Sequence, residues 1–221
     1  MKKFFALMMM MSLVSGLSAK NEPEPSKAET SFDPAFLLHK KIACQQLSFE
    51  AFRTAYYGHR SIRNQFDNDT LITIVDFSKP STEDRFFVVD IKNGKLLIKT
   101  LVAHGKNSGN LYAEKFSNVM SSLQSSLGFF KTGSTYTGKH GFSMLLNGLE
   151  KGINDKARER AVVVHSADYV SEAYAKQHGR LGRSFGCPAL SKEMNDKVIN
   201  LIKNGSCMFL YHPSQYQLAA N

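Results

Sequence analysis

The apolar positions of this chain change period part-way along it. In "SFDPAFLLHKKIACQQL" they fall at helical spacing behind Asp33, a candidate N-cap, and Pro34, whose fixed φ suits the first helical position. "SFEAFRTAYYG" repeats that arrangement with Ser48 as cap and Gly58 as stop, and its aromatic stripe of Phe49, Phe52, Tyr56 and Tyr57 reads as a core-facing surface. From residue 70 the period becomes that of strands. "TLITIVDFS" is a mostly apolar, β-branched run, and "RFFVVDIKNGKLLIKTLVAH" reads as two strands joined at Asn93-Gly94, a two-residue hairpin signal. Further short strands fit "SLGFFKTG", "GFSMLLNG", "RAVVVHS" and "CMFLYHP", while "SEAYAKQHG" and "SKEMNDKVINLIKNG" read as helices, each with a Ser cap and a closing glycine. Many short strands and few helices predict a β-rich α+β domain over residues 70–213, preceded by a helical extension over 33–69 and followed by a short tail, 214–221.

The start of the chain has a different character. "MKKFFALMMMMSLVSGLSAK" has two lysines, a short apolar run and then small residues, the layout of a secretory signal peptide, with cleavage expected after Ala19 or Ser18. The apolar run is too short to span a bilayer, and no cysteine sits at the junction to carry a lipid. Residues 20–32, "KNEPEPSKAETSF", are charged and proline-containing and read as a flexible linker. The mature chain keeps 26 basic residues against 19 acidic, a net +7. Export makes nucleic acid an unsuitable partner, and no basic run interleaved with aromatics is present; an anionic envelope polymer suits the charge better. No transmembrane segment follows the leader, and the expected location is the periplasm or cell envelope.

Candidate chemistry centres on "GRLGRSFGCPALS". Cys187 stands between Gly186 and Pro188, in an exported chain with only three cysteines. A thiol with an ordinary pKa near 8.5 is only a few per cent thiolate at neutral pH, so a nucleophilic role needs a base, and His165 closes the apolar strand "AVVVH" 22 residues earlier. Gly186 permits a sharp turn and close approach of a substrate, and Pro188 lacks an N–H, so oxyanion donors would come from Phe185, Gly186 and Cys187. A disulfide from Cys187 to Cys207 or Cys44 is the structural alternative, but an odd cysteine count leaves one thiol over. Cys44 and Cys207 read as small buried residues or a pair with each other. The loop "YTGKHG", with Tyr136, Lys139 and His140, suits a cleft wall, and "VAHGKNSG" adds His104. No two of His104, His140, His165 and Cys187 have zinc-ligand spacing on one element, so no metal site is predicted. His39, His59, His178 and His212 read as structural or solvent-facing.

"VVVHSADYV" followed by "GRLGRSFGCPALS" resembles the active-site region of the YkuD-like L,D-transpeptidase superfamily, and more closely its murein L,D-transpeptidase catalytic domain family. "IVDFSKPS", "VAHGKNSG", "SSLGFFKTGSTYTGKHGFSMLLNGLEKGIN" and "RAVVVHSADYV" extend the resemblance over roughly residues 70–212. It implies the β-rich fold of that domain, Cys187 as nucleophile, His165 as general base, Ser184 as an orienting residue, and Gly186 and Cys187 as oxyanion N–H donors. It further implies peptidoglycan stem peptides as partners, no cofactor, and a thioester formed at the L-centre of residue three with release of D-alanine, then passed to an amine as a 3→3 cross-link. Two positions depart from the family pattern. Phe185 stands where a histidine is usual, and its carbonyl is expected to hold the catalytic histidine; Ala189 stands where an arginine is usual, so Arg183 or Arg180 is expected to recognise the donor carboxylate. The alternatives are transfer of the same acyl group to water, making an L,D-carboxypeptidase, and a non-catalytic envelope-binding protein in which Cys187 is oxidised to Cys207.

Overall fold

The computed structural model describes residues 33–217; the expected leader and linker, residues 1–32, and residues 218–221 lie outside them. The two helices begin as their caps dictate. Helix α1, Pro34–Ile42, starts where the Asp33 carboxylate accepts the Ala35 N–H at 2.8 Å, and it ends at Ala43 in the left-handed region, φ 54°. Cys44 therefore lies beyond this helix, in a turn. Helix α2, Phe49–Ser61, starts at Ser48, whose Oγ accepts the Ala51 N–H at 3.3 Å. Gly58 does not stop this helix but lies inside it. A Cβ at Gly58 would stand 2.1 Å from Phe129 Cζ, so the glycine serves close packing of the helix on the sheet. Asp33 joins the two helices, accepting from Arg53 Nε at 3.0 Å and from the Tyr57 hydroxyl at 2.6 Å.

Eight strands follow: β1 Asn68–Asp76, β2 Phe86–Asp90, β3 Lys95–Thr100, β4 Gly128–Gly138, β5 Gly141–Gly148, β6 Val163–Ser166, β7 Ala189–Leu190 and β8 Ser206–Tyr211. They form one sheet in the order β3-β2-β1-β8-β4-β5-β6-β7, with β1–β8 and β6–β7 parallel and the other pairs antiparallel. Beyond β3 the chain bridges to the opposite edge, Ala103 to Ala189 and Gly105 to Ser184, so the sheet nearly closes into a barrel. The β2–β3 connection is longer than the expected two residues. Ile91–Gly94 form a four-residue turn because the Asp90 carboxylate accepts both the backbone N–H and the side-chain amide of Asn93, at 2.9 and 2.7 Å.

Strand runs read as almost continuously apolar because both faces of the sheet are covered. Alternate residues Val75, Phe86, Val88, Phe130, Met208 and Leu210 enter the barrel core. Their neighbours Ile72, Ile74, Phe87, Val89, Phe129, Cys207 and Phe209 pack outward under Ala51, Phe52 and Ala55 of α2. Helix α3, Glu172–His178, runs from a Ser171 cap to a left-handed Gly179, and α4, Lys192–Ile202, from a Ser191 cap; α4 sends Val198, Ile199 and Ile202 into the barrel core. Within the expected tail, Ser214–Gln217 form one helical turn, α5.

Because α2 shares a core with the sheet, Phe52→Ala is expected to destabilise the whole domain by about 3–5 kcal/mol, the range for truncating a buried phenylalanine. Urea unfolding followed by circular dichroism and tyrosine fluorescence checks this: one coincident, shifted transition is expected, whereas loss of helix ahead of sheet would mean the helices fold as a separate unit.

Candidate active site

The segment from Gly179 to Ala189 has few contacts of its own kind and is shaped by its neighbours. The Leu181 N–H donates to Ser81 Oγ at 3.1 Å, the Gly182 N–H to Tyr169 O at 2.9 Å, and the Ser184 N–H to His104 O at 2.9 Å, while Ser184 O accepts the Lys106 N–H at 2.8 Å. Ser184 then folds the turn on itself: its Oγ donates to Cys187 O at 2.6 Å and accepts the Gly186 N–H at 3.0 Å. Gly186 has φ +126°, and a Cβ there would meet Gln124 O at 2.7 Å, so no other residue fits without displacing that backbone. Its N–H is committed to Ser184, unlike the free oxyanion donor expected from the sequence, which leaves Phe185 and Cys187 as the remaining amides of the turn. Phe185 is 71% exposed, with Lys106 Nζ 4.8 Å from its ring centroid.

His165 is carried by β6 and pairs with Ala189 of β7, two residues after Cys187, so the histidine and the cysteine sit on adjoining segments of the same sheet edge. All three cysteines are free thiols; Cys44 and Cys207 are buried in the outer core, and Cys187 is half-buried. The Cys187 Sγ accepts the Val163 N–H at 3.4 Å and faces Ala161 O at 3.7 Å. Burial pushes its pKa up, opposed by the Val163 N–H and by the positive charge of Arg160. His165 is 4% exposed, and its Nδ1 lies 2.9 Å from Ser166 O, which assigns the proton to Nδ1 and leaves Nε2 as the basic nitrogen. The carbonyl that holds the ring is thus that of Ser166, not that of Phe185. Burial lowers the His165 pKa; Ser166 O opposes the shift and His140, with ring centroids 4.6 Å apart, adds to it. Burial thus favours a neutral thiol at Cys187 and a neutral imidazole at His165.

Arg160 escaped the sequence reading. In "KARERAVVVH" it is one of several exposed-looking cations and no spacing distinguishes it. In the fold it anchors in the loop facing Cys187: Nη1 donates to Ser117 O at 2.6 Å and to Ser126 Oγ, and Nη2 to Gln124 O at 2.7 Å and Ser122 Oγ at 3.2 Å. Burial lowers its own pKa, and attraction to Cys187 works against that shift. Tyr169 is likewise new to the site. Burial, reinforced by Cys187, raises its phenol to about 12.

The other expected binding residues are placed less closely. Arg183 Nη1 donates to Gly109 O at 3.0 Å and Asn110 Oδ1 at 2.8 Å, and Arg180 Nη1 to Leu181 O at 2.8 Å, so both arginines hold backbone of the surrounding loops. Tyr136 and Lys139 are exposed on the β4–β5 hairpin whose tip brings His140 over His165. Ser166 Oγ donates to His140 O at 3.2 Å, fixing that tip to β6. Among the described residues no group of three His, Cys, Asp or Glu side chains is placed to hold a metal ion.

Behind the loop, His104 is completely buried with Nδ1 2.8 Å from Arg85 Nη2 and Nε2 3.3 Å from Gly109 O. The guanidinium can only donate, so Nδ1 accepts and Nε2 carries the proton. Burial, then the Arg85 charge, depresses the His104 pKa to about 3.

Two measurements follow from these environments. Alkylation of Cys187 by iodoacetamide, followed by peptide mass spectrometry across pH, should show a midpoint above the ordinary thiol value, and Arg160→Gln should raise it further. At neutral pH that variant is expected to alkylate about threefold to tenfold more slowly, since one unit in thiol pKa changes the thiolate fraction tenfold; an unchanged profile would remove Arg160 from the site. For His104, the unfolded chain holds a proton between pH 6.5 and about 3 that the folded chain lacks, so acidification through that window favours unfolding. The slope from this one group approaches about 1.4 kcal/mol per pH unit. His104→Gln, neutral throughout, should be less stable at pH 7 yet show a shallower fall in unfolding free energy from pH 7 to pH 5.

No curated protein matches this sequence. Among solved structures the chain is similar to an L,D-transpeptidase from Mycobacterium smegmatis, at 16% identity over 65% of this chain and 59% of that one with a TM-score of 0.40. It is also similar to L,D-transpeptidase 3 from Mycobacterium tuberculosis, at 13% identity over 65% and 61% with a TM-score of 0.42. A third is the helical cell shape determining protein Pgp2 from Campylobacter jejuni, at 13% over 66% and 49% with a TM-score of 0.44. The chain spans less than two-thirds of the length of each of these structures. The family profile of the YkuD_2 L,D-transpeptidase catalytic domain matches residues 43–211, well over half of the chain, and the protein belongs to that family.

Proposed function

We propose that this protein is an exported cysteine acyltransferase that acts on peptidoglycan stem peptides, an L,D-transpeptidase working through a thioester on Cys187. The observation that carries this reading, beside family membership, is the environment of Cys187 itself: an unpaired thiol at a sheet edge, held by an amide and faced by Arg160, with the basic Nε2 of a neutral His165 on the adjoining strand. The non-catalytic reading expects Cys187 in a disulfide with Cys207, which instead is buried in the outer core.

The chemistry starts from the neutral pair. His165 Nε2 takes the thiol proton as sulfur attacks the carbonyl carbon at the L-centre of stem residue three. Developing negative charge on that oxygen is met by the amides of Phe185 and Cys187. The carbon–nitrogen bond to D-alanine then breaks, the leaving amine takes the proton from His165, and a thioester remains. An acceptor amine attacks the thioester, His165 takes its proton and returns it to the departing sulfur, and a 3→3 cross-link results. Arg160 favours the thiolate at the moment it forms, and its four anchors keep it in place as the charge develops. Arg183 and Arg180 remain the proposed recognition groups for the donor carboxylate, with Tyr136, Lys139, His140 and Phe185 as walls of the cleft. The leader pattern read in the sequence and the family support delivery to the periplasm or envelope; among the described residues no helix is long and apolar enough to cross a membrane.

Intact-protein mass spectrometry with a disaccharide-tetrapeptide tests the proposal. Wild type is expected to form an acyl adduct with release of D-alanine and a cross-linked dimer, and Cys187→Ala to form neither while keeping its thermal midpoint. Turnover retained by Cys187→Ala would end the cysteine mechanism, and tripeptide as the sole product would make the enzyme a carboxypeptidase.

A further inference from the structure

On the helix-covered side of the sheet lies a pocket of about 460 Å³ to which no part of the proposed active site contributes. It is bounded by the last two turns of α2, the 3-10 turn Arg63–Gln65, the start of β1 and the β2–β3 turn, through Tyr56, His59, Arg60, Arg63, Thr70 and Lys92 in particular. The volume suits a small molecule rather than a polymer chain.

The charges in this pocket do not balance. Arg63 is paired with Asp69, the one carboxylate of the lining, while Arg60 and Lys92 have no carboxylate partner among the described residues. Arg60 is instead aimed by Tyr56: its Nη1 donates to the phenol oxygen at 3.0 Å and its guanidinium lies 5.6 Å from the ring centroid. The pocket therefore presents a net charge of two positives with the imidazole neutral.

His59 supplies an independent sign of a ligand. It is only 2% exposed and stacks on Phe66 with ring centroids 5.2 Å apart, yet neither ring nitrogen has a hydrogen-bond partner among the described residues. Buried polar atoms are normally paired, and leaving them unpaired is unfavourable. Burial keeps this imidazole neutral, with one nitrogen to donate and one to accept.

We infer that this pocket binds a small phosphate-bearing molecule, a phosphate monoester or free phosphate, with Arg60 and Lys92 on its charge and His59 on an oxygen. A phosphate dianion matches the net charge, and its oxygens accept from a guanidinium fork, an ammonium and an imidazole N–H. A carboxylate supplies half the charge. The inference does not depend on the cysteine chemistry proposed above.

Isothermal titration calorimetry on the mature full chain at low ionic strength, with inorganic phosphate, glycerol 1-phosphate and acetate as probes, tests it. Saturable binding of one phosphate probe per chain is expected, about tenfold or more tighter than acetate, and weakening with salt. Tighter binding of glycerol 1-phosphate identifies an ester as the ligand, and equal or tighter binding of inorganic phosphate identifies the free anion. Arg60→Gln with Lys92→Gln, both at exposed positions, should weaken binding by about tenfold or more. His59→Phe, which keeps the stack on Phe66, should weaken it by about fivefold or more. Cys187→Ala should bind as wild type does, which separates this inference from the fate of the acyltransferase. No saturable binding, acetate binding as tightly as phosphate, or affinity unmoved in the Arg60/Lys92 double variant would overturn it, and that double variant decides the matter even if His59→Phe does not fold.

Discussion

A buried guanidinium organises this domain. Arg85 is fully enclosed just before β2, and burial draws its pKa down to about 9, so at neutral pH it is still a cation that must be met by acceptors. It finds Val102 O at 2.8 and 3.1 Å, Lys79 O at 2.9 Å, His104 Nδ1 at 2.8 Å and the face of Phe77 at 5.2 Å. Each of these acceptors fixes a stretch of chain that has no ladder of its own. Val102 and His104 belong to the segment that closes the barrel against Ser184 and Ala189. Because Arg85 occupies Nδ1, His104 donates through Nε2 to Gly109 O, where Arg183 also donates, and the His104 carbonyl takes the Ser184 N–H. The turn that presents Cys187 is thus held at the end of a chain of hydrogen bonds that begins at a buried charge.

The same constraint reaches the helical unit. Asp76 ends β1 fully buried, is the opposite charge that favours the Arg85 cation, and accepts from Ser48 Oγ at 3.0 Å, the residue that caps α2. Helix start, strand end and barrel seam are tied through two buried ions of opposite sign. The apolar pattern sets which faces are buried, and satisfying these two charges adds directional contacts that favour this arrangement of β1, β2 and the loop after β3. The outer core over α2 then closes the sheet's second face.

Much of the fold was legible because it follows local rules. Asp33, Ser48, Ser171 and Ser191 cap where a short polar side chain precedes a helical period, and the strand runs are β-branched and bounded by turn residues. The failures have a common cause in tertiary context. Gly58 read as a stop but answers to Phe129, which lies 71 positions away; the Asn93-Gly94 turn is widened by Asp90; β7 is two residues long and shows no period at all. For the site, His165 at a strand end and Cys187 between Gly186 and Pro188 stand out by chemistry and by backbone. Arg160 and Tyr169 did not, because a lone cation or phenol acquires meaning only when the loop 117–126 or Gly182 is folded against it.

That asymmetry bears on how the site would be tuned. Cys187 and His165 are both pushed by burial towards their uncharged forms, so the groups visible in sequence are by themselves a weakly reactive pair. Reactivity has to come from what surrounds them, the Val163 amide on the sulfur, the Ser166 carbonyl on the imidazole, and the Arg160 charge. The Val163 and Ser166 groups are backbone atoms of β6, which any sequence able to form that strand supplies. Arg160 is the side chain in the set, and its own anchors are mostly carbonyls and hydroxyls of one irregular loop. The ionisation of the Cys187 thiol therefore depends on the order of that loop as much as on the cysteine and the histidine themselves.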